Sequence, residues 1–305
     1  MSLTAFLFPG QGAQVVGMGA NVYEAAPAAR AVFDEADDVL GVALSKTILE
    51  GPSEELVRSH NAQPAILCVS IALLRAMEAR LGTNMPVSSF FAGHSLGEYT
   101  ALVAAGSIDL ATGLRLVRRR GELMQSAAEA TPSGMASLIG LPLEPAIAAC
   151  EGTGAQVATA NSAEQIVIAG PIDALKQAIE NAMAAGARRA LPLDVAGAFH
   201  TAVMRPAQDE LDVLLAEVAF EIPVAPIVGN TTATSLTSPD EICAELAGQL
   251  CGCVYWQHSV ELMAREGVTR FIEIGPGKVL SGLARRIAPD TETVAVGDLA
   301  TLSAV

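Results

Sequence analysis

Gly93-His94-Ser95-Leu96-Gly97 fits G-x-S-x-G, and it lies between a stretch that reads as a strand, Ser88 to Ala92, and one that reads as a helix, Leu96 to Ala105. That context makes Ser95 a candidate nucleophile. A turn this sharp brings backbones close and needs torsions that glycine tolerates. It also sets the serine hydroxyl at the amino end of a helix, whose dipole favours developing negative charge. The bland alternative is a Gly/Ser turn that only caps a helix. A serine hydroxyl is a poor nucleophile near neutral pH and needs a base within hydrogen-bond reach. The chain offers four histidines. His94 adjoins Ser95 in the turn, where the two side chains should diverge, and His60 and His258 lie in helical stretches without motif context. His200, in Ala198-Phe199-His200-Thr201, stands where the chain leaves one patterned unit and re-enters another, a hinge suited to a cleft, so it is the candidate base. No acidic residue near it declares itself as a third member. Acyl chemistry further needs donors aimed at an oxyanion. The N–H of Leu96 follows the nucleophile, and the Pro9-Gly10-Gln11-Gly12 loop after a first strand is the natural source of a second donor.

The elements that must hold these residues follow from periodicity. Thr4 to Phe8 reads as a buried strand, and Leu96 to Ala105 and Leu110 to Ala128 as helices, the second closed by Thr131-Pro132-Ser133-Gly134. The pattern then runs strand (Met135 to Leu141), helix (Leu143 to Cys150), a strand pair (Gln156 to Ala169), helix (Asp173 to Ala185) and strand (Arg189 to Leu193), the β-α-β-β-α-β order of a ferredoxin-like unit. Beyond His200 the chain returns to helices and strands, with a strand from Arg270 to Ile274, a Gly275-Pro276-Gly277 break and a helix from Val279 to Ile287. The expected plan is α/β: a large domain from residues 1–130 and 198–305, interrupted by a ferredoxin-like domain over 131–197.

Composition narrows the function classes. The 305 residues are 51% hydrophobic and only 4% aromatic, enough for a sizeable core. A net charge of -15 opposes binding to nucleic acid or to an anionic membrane. Local basic clusters stand out at Arg118-Arg119-Arg120, Arg188-Arg189 and Lys278 with Arg285-Arg286, and either an anionic ligand or a solvated helix face accounts for each. Five cysteines without a C-x-x-C pair read as reduced thiols of a cytoplasmic protein, not as a zinc site. No signal peptide or membrane span is expected.

Phe8-Pro9-Gly10-Gln11-Gly12, Gly93-His94-Ser95-Leu96-Gly97-Glu98, Arg120-Gly121 with Met124-Gln125, Gly197-Ala198-Phe199-His200 and Glu273-Ile274-Gly275-Pro276-Gly277 occur in this order. Together they resemble the acyltransferase family of fatty-acid and polyketide synthesis, over nearly the whole chain. The resemblance implies an α/β-hydrolase-like large domain and a ping-pong transfer of malonyl from malonyl-CoA to Ser95. From there malonyl passes to the phosphopantetheine thiol of acyl carrier protein. It implies Ser95 as nucleophile, His200 as base, the backbone N–H groups of Gln11 and Leu96 as the oxyanion hole, and Arg120 as the clamp on the malonyl carboxylate. A guanidinium suits that role because its planar fork matches a carboxylate and keeps its charge when desolvated. Consecutive helical residues point about 100° apart, so at most two of the three arginines face one pocket, and helix geometry leaves open which. Asn161, His94 and Phe199 join the expected substrate contacts. No metal or redox cofactor is implied, coenzyme A being a substrate carrier, and a monomer is expected.

Two departures from the family pattern matter. Cys253-Val254-Tyr255-Trp256 stands where the family has Pro-Val-Gln-Trp, with Gly252-Cys253 for Asn-Pro, so this loop is expected to supply the backbone carbonyl that orients the histidine. Ala198-Phe199 before His200 resembles the malonyl-selective signature of polyketide acyltransferases, which keeps polyketide service open. Two rival functions also stand at this point. A serine hydrolase shares the elbow but has no reason to hold a donor carboxylate on Arg120, and a carrier-docking module that has lost activity has no reason to keep Ser95, His200 and Arg120.

Overall fold

The computed structural model describes residues 3–305. Among the described residues, ten strands form two sheets. The larger has the order β10-β9-β1-β2-β7-β8, built from β1 (Leu3–Phe8), β2 (Ser88–Gly93), β7 (Ile227–Val228), β8 (Ser235–Leu236), β9 (Val268–Ile274) and β10 (Glu292–Val296). Every pairing in it is parallel except β7 with β8. Such a sheet must be covered on both faces, and its central strands accordingly read as continuous apolar runs. Helices α1 (Ala20–Ala25), α2 (Pro27–Leu40), α3 (Leu44–Glu50), α4 (Ser53–Leu56), α5 (Ser59–Leu81), α6 (Leu96–Ala104) and α7 (Leu110–Ala130) precede the smaller sheet.

That sheet has the order β4-β5-β3-β6, formed by β3 (Ser133–Ile139), β4 (Gln156–Ser162), β5 (Gln165–Pro171) and β6 (Arg189–Pro192), all antiparallel, with α8 (Leu143–Cys150) and α9 (Ile172–Ala184) as crossovers. This is the ferredoxin-like arrangement, so the protein is an α/β-hydrolase-like unit with a ferredoxin-like insertion. Both units carry their own buried clusters, Phe271 and Trp256 in one, Ile166 and Ile168 in the other. The chain returns through α10 (Arg205–Leu215), α11 (Pro239–Gln249), α12 (Trp256–Arg265) and α13 (Val279–Ile287). Ser238 and Glu241 form a reciprocal capping box at the start of α11, fixing the helix whose last residue is Gln249.

The two units are stitched together along β4. As an edge strand it has unpaired backbone groups, and Val254 of the large unit fills them: its N–H donates to Ala158 O at 2.9 Å and its carbonyl accepts from Ala160 N at 2.9 Å. The Gln156 carboxamide oxygen on the same strand accepts the N–H of Ala202, two residues past His200, at 2.7 Å.

Candidate active site

The carboxyl ends of three adjacent parallel strands build the site. β1 and β2 pair with Phe8 opposite Gly93, and β2 and β7 with Ala92 opposite Val228. Their exits deliver the Gln11 loop, Ser95 and Asn230 side by side, the position where open α/β sheets bind ligands. Ser95 takes φ 53 and ψ -109, one of three non-glycine residues at positive φ among those described. His200, at φ 61, is another. Strain of this kind persists only where the surroundings enforce it. The flanking glycines have no alternative, since a Cβ on Gly93 would lie 1.9 Å from the Gly97 carbonyl and one on Gly97 2.1 Å from Phe8 O.

Ser95 Oγ lies 2.7 Å from His200 Nε2, and His200 Nδ1 lies 2.9 Å from the carbonyl of Gln249. A carbonyl only accepts, so Nδ1 carries the proton and Nε2 is free to take the one from Ser95. The orienting group is therefore a backbone oxygen rather than a carboxylate. It belongs to Gln249, at the end of α11, while Gly252 of the 252–255 loop makes a further backbone hydrogen bond to the imidazole and Val254 pairs with β4. Burial, reinforced by the nearby Arg120 charge, pushes the His200 pKa down to about 3, against a smaller opposing effect of the Gln249 carbonyl.

Of the three consecutive arginines on α7, only Arg120 turns inward. Arg118 binds Glu122, Asn61 Oδ1 at 2.7 Å and the carbonyl of His60 at 3.1 Å. That carbonyl needs a partner because the residue four positions on is Pro64, which has no N–H to donate. Arg119 pairs at the surface with Glu122 and Glu210. Gly121 lets α7 approach α5 closely, since a Cβ there would meet Ser59 O at 2.5 Å. Arg120 is thereby fully buried. Its Nη1 donates to Gln63 Oε1 at 2.8 Å, and its Nη2 to Gln249 Oε1 at 2.9 Å and Ser95 Oγ at 3.1 Å. Its Nε has no hydrogen-bond partner, and no carboxylate among the described residues forms an ion pair with it. Burial lowers its pKa, with Tyr99 and Glu98 acting in the opposite sense. A buried guanidinium with an idle N–H beside a serine hydroxyl has the chemistry to receive an incoming anion.

The remaining expected contacts fall as follows. Leu96 is the first residue of α6, where backbone N–H groups have no intrahelical acceptor. The Gln11 loop sits against the elbow, with His94 N donating to Phe8 O at 3.1 Å, and the Gln11 side chain reaches Ser59 Oγ at 3.1 Å. His94 points away from Ser95 toward the small unit and bonds Asn161 Oδ1 at 2.8 Å, so these two meet each other across the domain junction. Phe199 is buried directly before His200. Four buried residues of the site, Gln63, Glu98, Asn230 and Gln249, have no role in the sequence reading. Asn230 Oδ1 accepts the Ser95 N–H at 2.6 Å and its Nδ2 donates to Gly93 O at 2.8 Å, bracing the elbow. The faint signal for Gln63 and Gln249 is an amide on the buried face of its helix.

All five cysteines are free. Among the described residues no group of three or more His, Cys, Asp or Glu is arranged to hold a metal ion, and no helix is long and apolar enough to cross a membrane.

The sequence model of the acyl transferase domain matches residues 5–296. The malonyl CoA-acyl carrier protein transacylase of Bacillus subtilis (strain 168) is 43% identical over 307 residues, which is 99% of this chain and 96% of that protein. The transacylase of the same name from Escherichia coli (strain K12) is 42% identical, covering 100% and 99%. An acyl carrier protein S-malonyltransferase from Vibrio cholerae superposes with a TM-score of 0.95 at 43% identity, over 99% of both chains. A malonyl-transacylase solved in complex with a type II polyketide acyl-carrier protein superposes with a TM-score of 0.94 at 41% identity, covering 99% of this chain and 98% of that one.

Proposed function

Because the chain belongs to the acyl transferase domain family, we propose that Ser95, His200 and Arg120 carry the family's malonyl transfer from coenzyme A to acyl carrier protein. The activity is malonyl-CoA:acyl carrier protein transacylation, a step that supplies fatty-acid and polyketide synthesis.

In the first half-reaction His200 Nε2 takes the Ser95 proton as Oγ attacks the thioester carbonyl. The Gln11 and Leu96 N–H groups receive the oxyanion, an arrangement worth several kcal/mol in such sites. Collapse expels the coenzyme A thiolate, which leaves with the proton from His200, and malonyl remains on Ser95 as an ester. In the second half-reaction His200 takes the proton of the phosphopantetheine thiol, the sulfur attacks the ester, and Ser95 recovers its proton. A neutral His200 suits both steps, and its depressed pKa supports that reading.

One observation carries the choice of donor: Arg120 is fully buried, unpaired with any described carboxylate, 3.1 Å from Ser95 Oγ and left with an idle Nε–H. A malonyl carboxylate satisfies it, whereas a neutral acyl group leaves a buried charge without a partner. In this reading coenzyme A is a substrate carrier, no cofactor takes part, and the enzyme acts as a cytoplasmic monomer. The test is to follow malonyl-CoA with and without phosphopantetheinylated carrier. Malonyl-carrier should form far faster than free malonate, and malonate release that matches carrier loading would make the protein a hydrolase.

A further inference from the structure

We propose that Glu98 is a positioning residue that fixes which way the Gln249 amide faces, and through that amide holds the Arg120 clamp in register with Ser95. The inference rests on the reading of Arg120 as the receptor for the donor carboxylate.

Glu98 is the third residue of α6. An acid at this place in a helix ordinarily folds back onto the N–H of the residue before the helix. Here that N–H, Ser95's, is taken by Asn230 Oδ1 at 2.6 Å. The Glu98 carboxyl is thus released from capping and reaches across the buried interior. Its Oε1 accepts the backbone N–H of Asn230 at 3.3 Å, and its Oε2 accepts from Gln249 Nε2. The other hydrogen of Gln249 Nε2 goes to the Ser95 carbonyl at 3.1 Å.

Both Ser95 O and Glu98 Oε2 are acceptors, so the nitrogen of the Gln249 amide must face them. Its oxygen is then turned to Arg120 Nη2 at 2.9 Å. A flipped amide would set its NH2 against the guanidinium and its oxygen against two acceptors, losing three hydrogen bonds at once. The same residue's backbone carbonyl holds His200 Nδ1. Glu98 therefore sits between two amides, Asn230 serving the nucleophile and Gln249 serving clamp and base. A carboxyl has acceptor lone pairs on both oxygens, whichever its protonation state. A carboxamide in its place has only one accepting atom and must leave one of the two donors unpaired.

The test compares wild type with Glu98→Gln and Arg120→Ala, measuring kcat/KM for malonyl-CoA and acetyl-CoA with folding checked by circular dichroism. An unsatisfied buried donor next to the clamp should cost malonyl transfer about tenfold or more, and acetyl transfer several-fold less. A role confined to holding the fold would lower both donors alike. If Arg120→Ala shifts the malonyl-to-acetyl ratio and Glu98→Gln does not, the positioning role falls while the clamp stands. If neither shifts it, the clamp reading fails and takes this inference with it. Should Glu98→Gln fail to fold, the exchanged pair decides. Gln249→Glu sets a carboxylate against Glu98 and the Ser95 carbonyl and should cripple even acetyl transfer. Adding Glu98→Gln restores a donor facing an acceptor at that contact, while the Ser95 carbonyl still faces the new carboxylate, and should recover part of the acetyl turnover; no recovery at all would overturn the proposal.

Discussion

Replacing Arg120 with alanine tests the choice of substrate. The guanidinium makes hydrogen bonds of 2.8, 2.9 and 3.1 Å to Gln63, Gln249 and Ser95, and keeps Nε idle. In the wild type a malonyl carboxylate gains a charge-assisted, two-pronged contact, of which each bond contributes about 1.5–3 kcal/mol. Truncation also buries the incoming carboxylate without a partner. The expected loss for malonyl-CoA is therefore about 3–4 kcal/mol, roughly 10² to 10³ in kcat/KM. Acetyl-CoA lacks that carboxylate but does not escape entirely, because two amide oxygens lose a donor and Ser95 Oγ loses a neighbour. A loss of about tenfold is expected for it. The malonyl-to-acetyl ratio should thus fall by roughly ten- to a hundredfold. Lysine keeps the charge without the planar fork and should fall between wild type and alanine. The assay is steady-state transfer to phosphopantetheinylated carrier for both donors, on variants with wild-type circular dichroism. Equal losses for the two donors would refute the clamp and make Arg120 a structural or coenzyme A-phosphate group.

Three further outcomes are expected. His200 is active when neutral, and burial with Arg120 lowers its pKa to about 3, so acylation should stay flat as pH falls through 6.5 and decline only toward the folded value; Arg120→Ala removes a cation and should shift that acid limb upward in a pH–rate profile. Phe199→Ser should raise methylmalonyl relative to malonyl transfer within the about 1–3 kcal/mol that one methyl group can command, and an unchanged ratio in a folded variant would remove Phe199 from selectivity. An acidic carrier needs a basic surface, and the Arg188-Arg189 and Lys278/Arg285/Arg286 clusters are separated in the fold, because β4 packs against α13 at one edge of the small sheet and β6, with Arg189, forms the other edge. Lys278, Arg285 and Arg286 are exposed around α13, whereas Arg188 is paired with Glu164 at 3.0 Å. Charge reversal at Arg285 and Arg286 should raise carrier KM and weaken its salt dependence, while Arg188→Glu should do neither.

Much of this was legible wherever the signal is local. The ferredoxin-like unit reads off its alternation of strand and helix periods, and α8 and α13 match their expected spans because Pro142 and Lys278 bound apolar helical runs. The elbow is legible because a strand-to-helix turn demands glycine at fixed places. What escaped lies in tertiary contacts between distant positions. Gln249 is 154 residues from the Ser95 carbonyl it binds, and Asn230 is 135 from the Ser95 amide. A single amide on a helix has no pattern that reveals such a partner. The two-residue strands β7 and β8 are too short to show a period, and β10 follows a helix with no turn signal beyond Pro289-Asp290. The orienting carbonyl of Gln249 has the same origin. Motif spacing points to the loop before Trp256, which reaches the imidazole through the Gly252 backbone, whereas the Gln249 carbonyl that bonds Nδ1 lies at the end of the preceding helix. The choice among three arginines depended on Pro64 freeing a carbonyl for Arg118, a contact between residues 58 positions apart.

The acyl-enzyme on Ser95 is measured most directly by intact-protein mass after brief mixing with malonyl-CoA, followed by addition of phosphopantetheinylated carrier. One malonyl adduct per chain is expected, absent in Ser95→Ala and discharged onto the carrier thiol in the wild type. An adduct that persists in Ser95→Ala, or transfer at the wild-type rate without any adduct, would contradict the Ser95 acyl-enzyme.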